Sequence, residues 1–478
     1  MSTVQLPASR EGLDPGFVRL SLVMLTGALA VVFDTTIVNI ALETLGQQLH
    51  VPVSTVQWVT TGYVLALGMA VPTTNWLTSR FGGKKVWLFA LTLFLAGSVG
   101  AGLAADAPSL IAFRVVQGVG GGLMLPVMQT TLVQATNGRS LGRAMAIIGL
   151  PVVLGPVLGP VVGGLLVQHL TWRWIFWVNV PFCVAGLAMA WRFMPSGERN
   201  HTAPLDWIGL ALVCPGIAAI VLGFSRAGAG GFGHADALLP LVVGVTLVAA
   251  FAVWALTRDG EPLIDLRLLR HSSFSAANAL LFLSGFVLYG AMLLIPLYYQ
   301  QVTGRDPLTA GLLLVPQGIG LMLSRGLAGA LTDRLGARPV AAAGLAITLV
   351  GTLPFAWVGS DTATWWLVAA LVVRGIGLGA VTIPVMTSAY EGLAADQVPH
   401  ASVITRMTQQ IGGSFGTAVL AVVLDSALAR HPGGPAEAAA AFGHTFWWSI
   451  AFTVLALAVS AWLPSRIARP TELRPASP

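Results

Sequence analysis

The sequence predicts an all-α integral membrane fold: two six-helix bundles related by a parallel pseudo-two-fold repeat, with two additional helices between them and fourteen spans in all. Three observations carry this. Hydrophobic residues make up 55% of the chain and charged residues only 9%, against roughly 25% charged in a soluble domain. The apolar residues fall in runs long enough to cross a bilayer, which takes about 20 residues as a helix. Short patterns recur in the two halves at a nearly constant offset. With so little charge a soluble chain could not cover its surface, so the chain faces lipid.

The candidate spans are 18–42, 55–77, 86–104, 108–130, 141–168, 174–194, 207–226, 238–257, 274–300, 308–328, 339–358, 363–388, 404–428 and 443–464. The polar opening, Met1 to Asp14, is followed by no small-residue cleavage motif, so the first run reads as a retained span and not a signal peptide. Lysine and arginine orient the set. With the N-terminus inside, nineteen of them fall in inside segments, among them Arg80, Lys84, Lys85, Arg139, Arg143, Arg334 and Arg338. Outside loops hold four, Arg173, Arg226, Arg305 and Arg430, and the other two of the 25 are Arg114 and Arg374 within spans. Losing one span would reverse every later loop, so the bias supports an even count with both termini inside. The net charge of +6 therefore belongs to loops beside a membrane, not to a nucleic-acid surface. Cys183 and Cys214 lie in apolar stretches and imply no disulfide framework.

The duplication shows in several places. Pro126-Val127-Met128 recurs as Pro384-Val385-Met386, Gly155 and Gly159 as Gly412 and Gly416, Arg114 as Arg374, and Arg80 and Gly82 as Arg334 and Gly336. Both members of each pair fall on the same side, so the halves are parallel and each holds an even number of spans. The divisions are an N-terminal six-helix bundle at 1–200, two additional helices at 201–261, and a C-terminal six-helix bundle with its tail at 262–478. Parallel six-helix halves around a midplane site form a transporter architecture.

Many of the 55 glycines and 28 prolines sit inside the apolar runs. The fifth span contains Gly155-Pro156-Val157-Leu158-Gly159-Pro160. Small residues four apart let helix backbones approach closely, and prolines bend a helix. Packing and a functional bend both fit this run. Two other strings are decoys. Gly412-Gly413-Ser414-Phe415-Gly416 matches a nucleophile elbow, and Gly375-Ile376-Gly377-Leu378-Gly379 has a dinucleotide-like spacing, but both lie in apolar helices with no strand before them. No P-loop string and no metal-ligand histidine spacing occur, so no cofactor and no metal are expected.

Charge inside a span is costly and marks a functional hypothesis. Asp34 lies roughly 12 Å, and Arg114 roughly 9 Å, from the outer ends of the first and fourth spans at about 1.5 Å per residue. The depths permit a pair. Burial disfavours the carboxylate and a nearby arginine favours it, so Asp34 can switch when access to water changes. The alternative is a static ion pair holding two helices. Candidate cavity residues are Asn39, Gln57, Tyr63, Gln117, Asn278, Tyr289, Gln317 and Gln410, with helix-to-helix hydrogen bonding the rival role for each. Trp58 and Trp87 read as interface anchors.

Read in order, several strings resemble the major facilitator superfamily, and within it the fourteen-helix drug:proton antiporters of the EmrB/QacA type. Asp34-Thr35-Thr36-Ile37-Val38-Asn39 is similar to that family's first-helix signature, and Arg114-Val115-Val116-Gln117-Gly118 to motif B. The run Gly155, Pro156, Gly159 is similar to the antiporter motif C. Trp172-Arg173-Trp174-Ile175-Phe176, Asn179 and Pro181 resemble the junction of the fifth and sixth helices. Leu205-Asp206-Trp207-Ile208-Gly209 and Pro262-Leu263-Ile264-Asp265 resemble the flanks of the extra pair. The loop motif A is complete in the second half at Gly329, Asp333, Arg334, Gly336 and Arg338. In the first half Arg80 and Gly82 remain, but Asn75 replaces the glycine and Ser79 the aspartate. The resemblance implies that this aspartate latches the halves on the cytoplasmic side, so the departure puts that latch in doubt here.

The resemblance implies a multi-pass cytoplasmic-membrane antiporter that exports hydrophobic drugs or antibiotics in exchange for protons, with Asp34 and Arg114 coupling to the proton. Its partners would be small hydrophobic substrates, protons and the bilayer, with no nucleic acid, and a monomer would suffice. The alternatives are a metabolite or lipid exporter on the same scaffold, and a membrane sensor without transport. No paired catalytic carboxylates or nucleophile–base set points to an enzyme. The span count is testable. A single cysteine placed in 228–236 should react with a membrane-impermeant reagent from outside the cell; reaction only after permeabilisation would overturn the two extra helices.

Overall fold

Uninterrupted apolar sequence in lipid must satisfy its own backbone hydrogen bonds, which makes helix the only open choice for each run. The computed structural model describes residues 15–464 except 52, 137–146, 148–154, 156–158, 160–161, 164, 167–168, 197–203, 259–261, 395 and 431–432. In chain order the helices are α1 (Pro15–Leu49), α2 (Val53–Ala70), α3 (Thr74–Phe81), α4 (Gly83–Leu103), α5 (Ala107–Ala135), α6 (Trp174–Trp177), α7 (Asn179–Phe193), α8 (Trp207–Gly230), α9 (Ala235–Thr257), α10 (Ser272–Gln301), α11 (Pro307–Leu312), α12 (Val315–Leu335), α13 (Ala337–Ala356), α14 (Thr364–Tyr390), α15 (Val398–Arg430) and α16 (Pro435–Ser460). Short 3-10 turns at Val71–Thr73 and Leu266–Arg270 join α2 to α3 and precede α10.

Twelve membrane-crossing candidates, by length and apolarity, lie among the described residues. Two of the fourteen expected spans are not among them. The stretch 55–77 folds as α2, which the 3-10 turn separates from α3, and most of 141–168 lies outside the described residues. On α9 the outward face carries Leu239, Val242, Val245 and Val253, each more than half exposed. Water would not tolerate such a face, whereas lipid covers it. Trp58 is 40% exposed, as an interface anchor would be, but Trp87 is fully buried. Its indole fills the space over Gly27 of α1, so Trp87 packs helices together and is no anchor.

The same packing pairs occur in both halves. In the first, α5 lies against α2 and α4, and α7 against α1 and α4; in the second, α14 lies against α12 and α13, and α16 against α10 and α13. The motif B glycines make this possible. Gly118 and Gly122 meet the main chain of α2, while Gly120 meets that of α4; Gly375 and Gly379 meet α12, while Gly377 meets α13. A Cβ at any of these would strike backbone atoms. The decoy strings are thus helix contacts: Gly412 and Gly416 likewise rest on the carbonyls of Phe282 and Phe286 in α10.

Arg80 and Arg334 end corresponding helices, and Gly82 and Gly336 follow at φ 83° and 89°, the left-handed backbone that glycine accepts most readily. Beyond the turns, Lys84 Nζ donates to the Trp191 carbonyl near the end of α7 at 2.7 Å, and Arg338 donates to the Ala461 carbonyl at the end of α16. In both halves a basic residue answers the negative end of the sixth helix.

The halves meet at the end of the bundle that bears these basic turns. There α15 packs against α3 and α5, and the hydroxyls of Thr130 and Ser402 lie 2.9 Å apart. The α8–α9 pair is secured by Asp206, which caps α8 through Gly209 N–H, pairs with Arg258 at 2.6 Å, and accepts from Trp254 Nε1 and Leu263 N–H. Apart from α9, α8 touches α2 of one half and α15 of the other.

Candidate functional site

Arg114 and Gln117 are one turn apart on α5 and so share a face. Gly97 of α4 lets that face approach, since a Cβ there would meet Gln117 N at 2.6 Å. The face reaches Asp34 on α1. Arg114 Nη1 donates to Asp34 Oδ2 at 2.5 Å and to Gln117 Oε1 at 2.7 Å, and its Nε donates to the Val59 carbonyl of α2 at 3.1 Å. Tyr63, one turn along α2, places its ring 4.0 Å from the guanidinium carbon. The carboxylate receives two more donors on Oδ1: Gln117 Nε2 at 2.9 Å and Asn179 Nδ2 at 3.0 Å. Both amide nitrogens also donate to Ser98 Oγ of α4, at 3.2 and 3.1 Å, and Ser98 Oγ in turn donates to the Phe176 carbonyl of α6 at 2.9 Å. Asp34, Arg114, Gln117, Asn179, Ser98 and Tyr63 are each 0% exposed.

The arrangement can hold a charge where an isolated one would be very costly. The carboxylate has three N–H donors, one of them charge-assisted. Arginine stays protonated, so Asp34 is the group in this cluster that can take up a proton. Uptake would replace an ion pair by a neutral acid beside a bare guanidinium. The cluster is thus a place where one proton changes the net charge of a buried site.

The second half builds the same framework without an acid. Arg374, also fully buried, donates to Gln317 Oε1 at 2.6 Å, to Thr352 Oγ1 at 3.3 Å and to the Val287 carbonyl at 2.9 Å. Among the described residues it has no ion-pair partner. A main-chain carbonyl of α10 stands where α1 supplies Asp34.

Several expected cavity residues serve these clusters instead. Tyr63 and Gln117 belong to the Asp34 site, Gln317 holds Arg374, and Asn278 is buried with its Nδ2 donating to the Phe274 carbonyl. A buried polar side chain must find a partner, and here the partner is protein. Tyr289 and Gln410 are half-buried, with Tyr289 lying on Gly413 of α15. The side chains of Asn39 and Gln57 lie outside the described residues. Of the motif residues, Gly155 sits against Val32 of α1, Gly159 and Gly329 are buried, Asp333 and Arg334 are exposed, and Pro156 is outside the described residues. Asn75, in place of the usual glycine, brings its Nδ2 to 3.1 and 3.0 Å from the ring nitrogens of His400 on α15. His400 Nδ1 also accepts from Asp265 N–H. Ser98 is the residue the sequence reading missed, and Asn179 entered it only as part of a string; a single serine after Gly97 carries no signal of its own.

Residues 24–417 match the family described as Major Facilitator Superfamily. A Multidrug resistance protein B homolog of Mycobacterium tuberculosis is 35% identical over 417 residues, covering 87% of this chain and 77% of that one. The Lincomycin resistance protein LmrB of Bacillus subtilis is 29% identical over 447 residues, covering 91% and 93%. Among solved structures, the human organic anion transporter MFSD10 (TETRAN) superposes with a TM-score of 0.65 at 17% identity, covering 94% of this chain and 100% of that one. The proton:xylose symporter XylE gives 0.63 at 14% identity, covering 92% and 94%.

The site depends on how closely α5 can lie on α2. Gly118→Ala puts a methyl group against the Tyr63 carbonyl, an overpacking that should cost about 1–3 kcal/mol. We expect a lower melting temperature in detergent. Gly326→Ala, whose added methyl meets nothing within 4 Å, should leave it unchanged. Equal melting of both variants and the parent would contradict the packing described.

Proposed function

This chain belongs to the Major Facilitator Superfamily, and we propose that it is a proton-coupled antiporter exporting hydrophobic drugs or antibiotics across the cytoplasmic membrane. In this reading it is of the fourteen-helix drug:proton type, with both termini cytoplasmic, bundles at 1–200 and 262–478, and the added pair at 201–261. It works as a monomer with small hydrophobic substrates and protons. The observation that carries the reading is the sealed Asp34–Arg114 pair: a titratable group with no water contact can exchange its proton only when the bundle rearranges, which is what coupling requires. The names of the relatives, multidrug and lincomycin resistance, support drugs as the cargo.

The charges inside the spans narrow the cargo. The buried charged side chains among the described residues are Asp34, Arg114, Arg325 and Arg374, besides Asp206 at the start of α8. Among the described residues no acid besides Asp34 is buried deep within a span to receive a lipophilic cation, since Asp206 caps the start of α8 and pairs with Arg258, so neutral or zwitterionic compounds suit the interior better. A metabolite or lipid exporter on the same scaffold is the alternative, and competition by drugs in vesicles separates the two.

In energised inverted vesicles the chain should accumulate a hydrophobic antibiotic, and an uncoupler should abolish the accumulation even with ATP supplied. Asp34→Asn, which keeps size and hydrogen bonding but cannot titrate, should reduce accumulation to background. Full uptake with the uncoupler present, or undiminished accumulation by Asp34→Asn, would overturn the proposal.

A further inference from the structure

The donors around Asp34 suit only one of its two protonation states. Arg114 Nη1, Gln117 Nε2 and Asn179 Nδ2 all present N–H to the carboxylate. A protonated Asp34 would instead need an acceptor for its own O–H. Gln117 cannot supply one by turning over, because its Oε1 is held by Arg114 Nη1 at 2.7 Å, and a reversed amide would set N–H against N–H. Both lone pairs of Ser98 Oγ are taken, by Gln117 Nε2 and Asn179 Nδ2. Among the side chains hydrogen-bonded to Asp34 one acceptor is unspent: Asn179 Oδ1 is buried and has no hydrogen-bond partner among the described residues. An orphaned buried oxygen on a side chain already touching Asp34 is costly unless another state uses it.

Resting on the reading of Asp34 as proton carrier, we infer that Asn179 is a two-state amide switch that follows the proton on Asp34. With Asp34 ionised, Asn179 Nδ2 donates to it. When a proton from water adds to an Asp34 oxygen, the Asn179 amide turns over, and Oδ1 accepts the new O–H from the place Nδ2 held. Release reverses the sequence: the O–H bond breaks, the proton returns to water and the amide turns back. The amide transfers no proton itself. Ser98 permits both states by turning its hydroxyl: it donates to the Phe176 carbonyl while Asn179 Nδ2 donates to it, and to Asn179 Oδ1 once the amide has turned, keeping the hydrogen bond from Gln117 throughout. Asn179 opens α7, so each turn registers the protonation of α1 on the sixth helix of the bundle. Among the described residues the other titratable or charged groups acting on Asp34 are Arg114 from α5, Tyr63 from α2 and Cys183 from α7, with Ser98 on α4 and the Phe176 carbonyl on α6 completing the surroundings.

The switch makes a prediction opposite in sign to that of a fixed donor. Asn179→Leu removes one of three donors to the carboxylate, but the one unspent acceptor among the described side chains bonded to Asp34. If Asn179 switches, the acid loses more, and Asp34 holds its proton less tightly. If Asn179 only donates, the carboxylate loses more, and the proton is held more tightly. Infrared difference spectroscopy of the full chain in detergent reads this directly as the carboxylic C=O band that Asp34→Asn abolishes. In Asn179→Leu the midpoint of that band should move to lower pH by about one unit, tenfold in proton affinity. An unchanged or higher midpoint would overturn the switch while leaving Asp34 as the carrier. A parent chain with no band lost in Asp34→Asn would instead overturn the carrier, and the switch with it. Should Asn179→Leu not fold, the parent chain with 13C-labelled asparagine decides. A side-chain amide C=O band should move to lower frequency as the Asp34 band appears, and an amide band indifferent to that titration rejects the switch.

Discussion

A carboxylate buried in an apolar bundle stays ionised only while enough N–H groups point at it, and the first half of this chain is organised around meeting that demand at Asp34. The donors come from α5 and α7, with Ser98 of α4 fixing both amides and α2 bracing the arginine from behind through Val59 and Tyr63. These four helices must therefore sit at the right separation from α1. Tenths of an ångström matter for hydrogen bonds of 2.5–3.2 Å, which is why Gly97, Gly118 and Gly120 stand where any side chain would push the helices apart.

The second half keeps that scaffold and the buried arginine but not the acid. Its glycines at 351, 375, 377 and 379 bring the same helices together, and Arg374 occupies the place of Arg114. Its three acceptors are a glutamine, a threonine and a main-chain carbonyl, none of which titrates in the physiological range. Duplication thus gave two buried arginine nodes, of which one is paired with a carboxyl and the other is held by neutral acceptors. The halves touch at their basic ends through Thr130 and Ser402, with Asn75 and His400 alongside. The Asn75 contact lies on α3, one helical turn before Ser79, where the family resemblance leads one to expect a latching aspartate. A histidine ring close to that boundary offers a different chemistry for holding the halves together.

Much of this was legible in the sequence because it follows from length and periodicity. Apolar runs announce helices, and the repeat of Arg80-x-Gly82 as Arg334-x-Gly336 announces matching turns. Asp34 and Arg114 could be paired from depth alone, since charges are rare in such runs. The remainder of the site was not legible, for a physical reason. A polar side chain in a span looks the same in sequence whether it faces a cavity or a neighbour, so Gln117 and Gln317 read as cavity candidates although each holds an arginine. Asn179 is 145 positions from Asp34, and no local pattern reports that contact. Trp87 shows the same limit, its indole filling a gap over Gly27 that only the packed helices reveal.

The proposed exchange of drug for proton takes place at Asp34. It is tested most directly by a pH indicator in a weakly buffered solution of the purified chain, to which an antibiotic carried in the vesicle assay is added. Drug binding should release protons from the parent chain, and Asp34→Asn should bind the drug without releasing them. Equal proton release from both chains, or drug binding to the parent with no release at a pH where Asp34 is protonated, would contradict it.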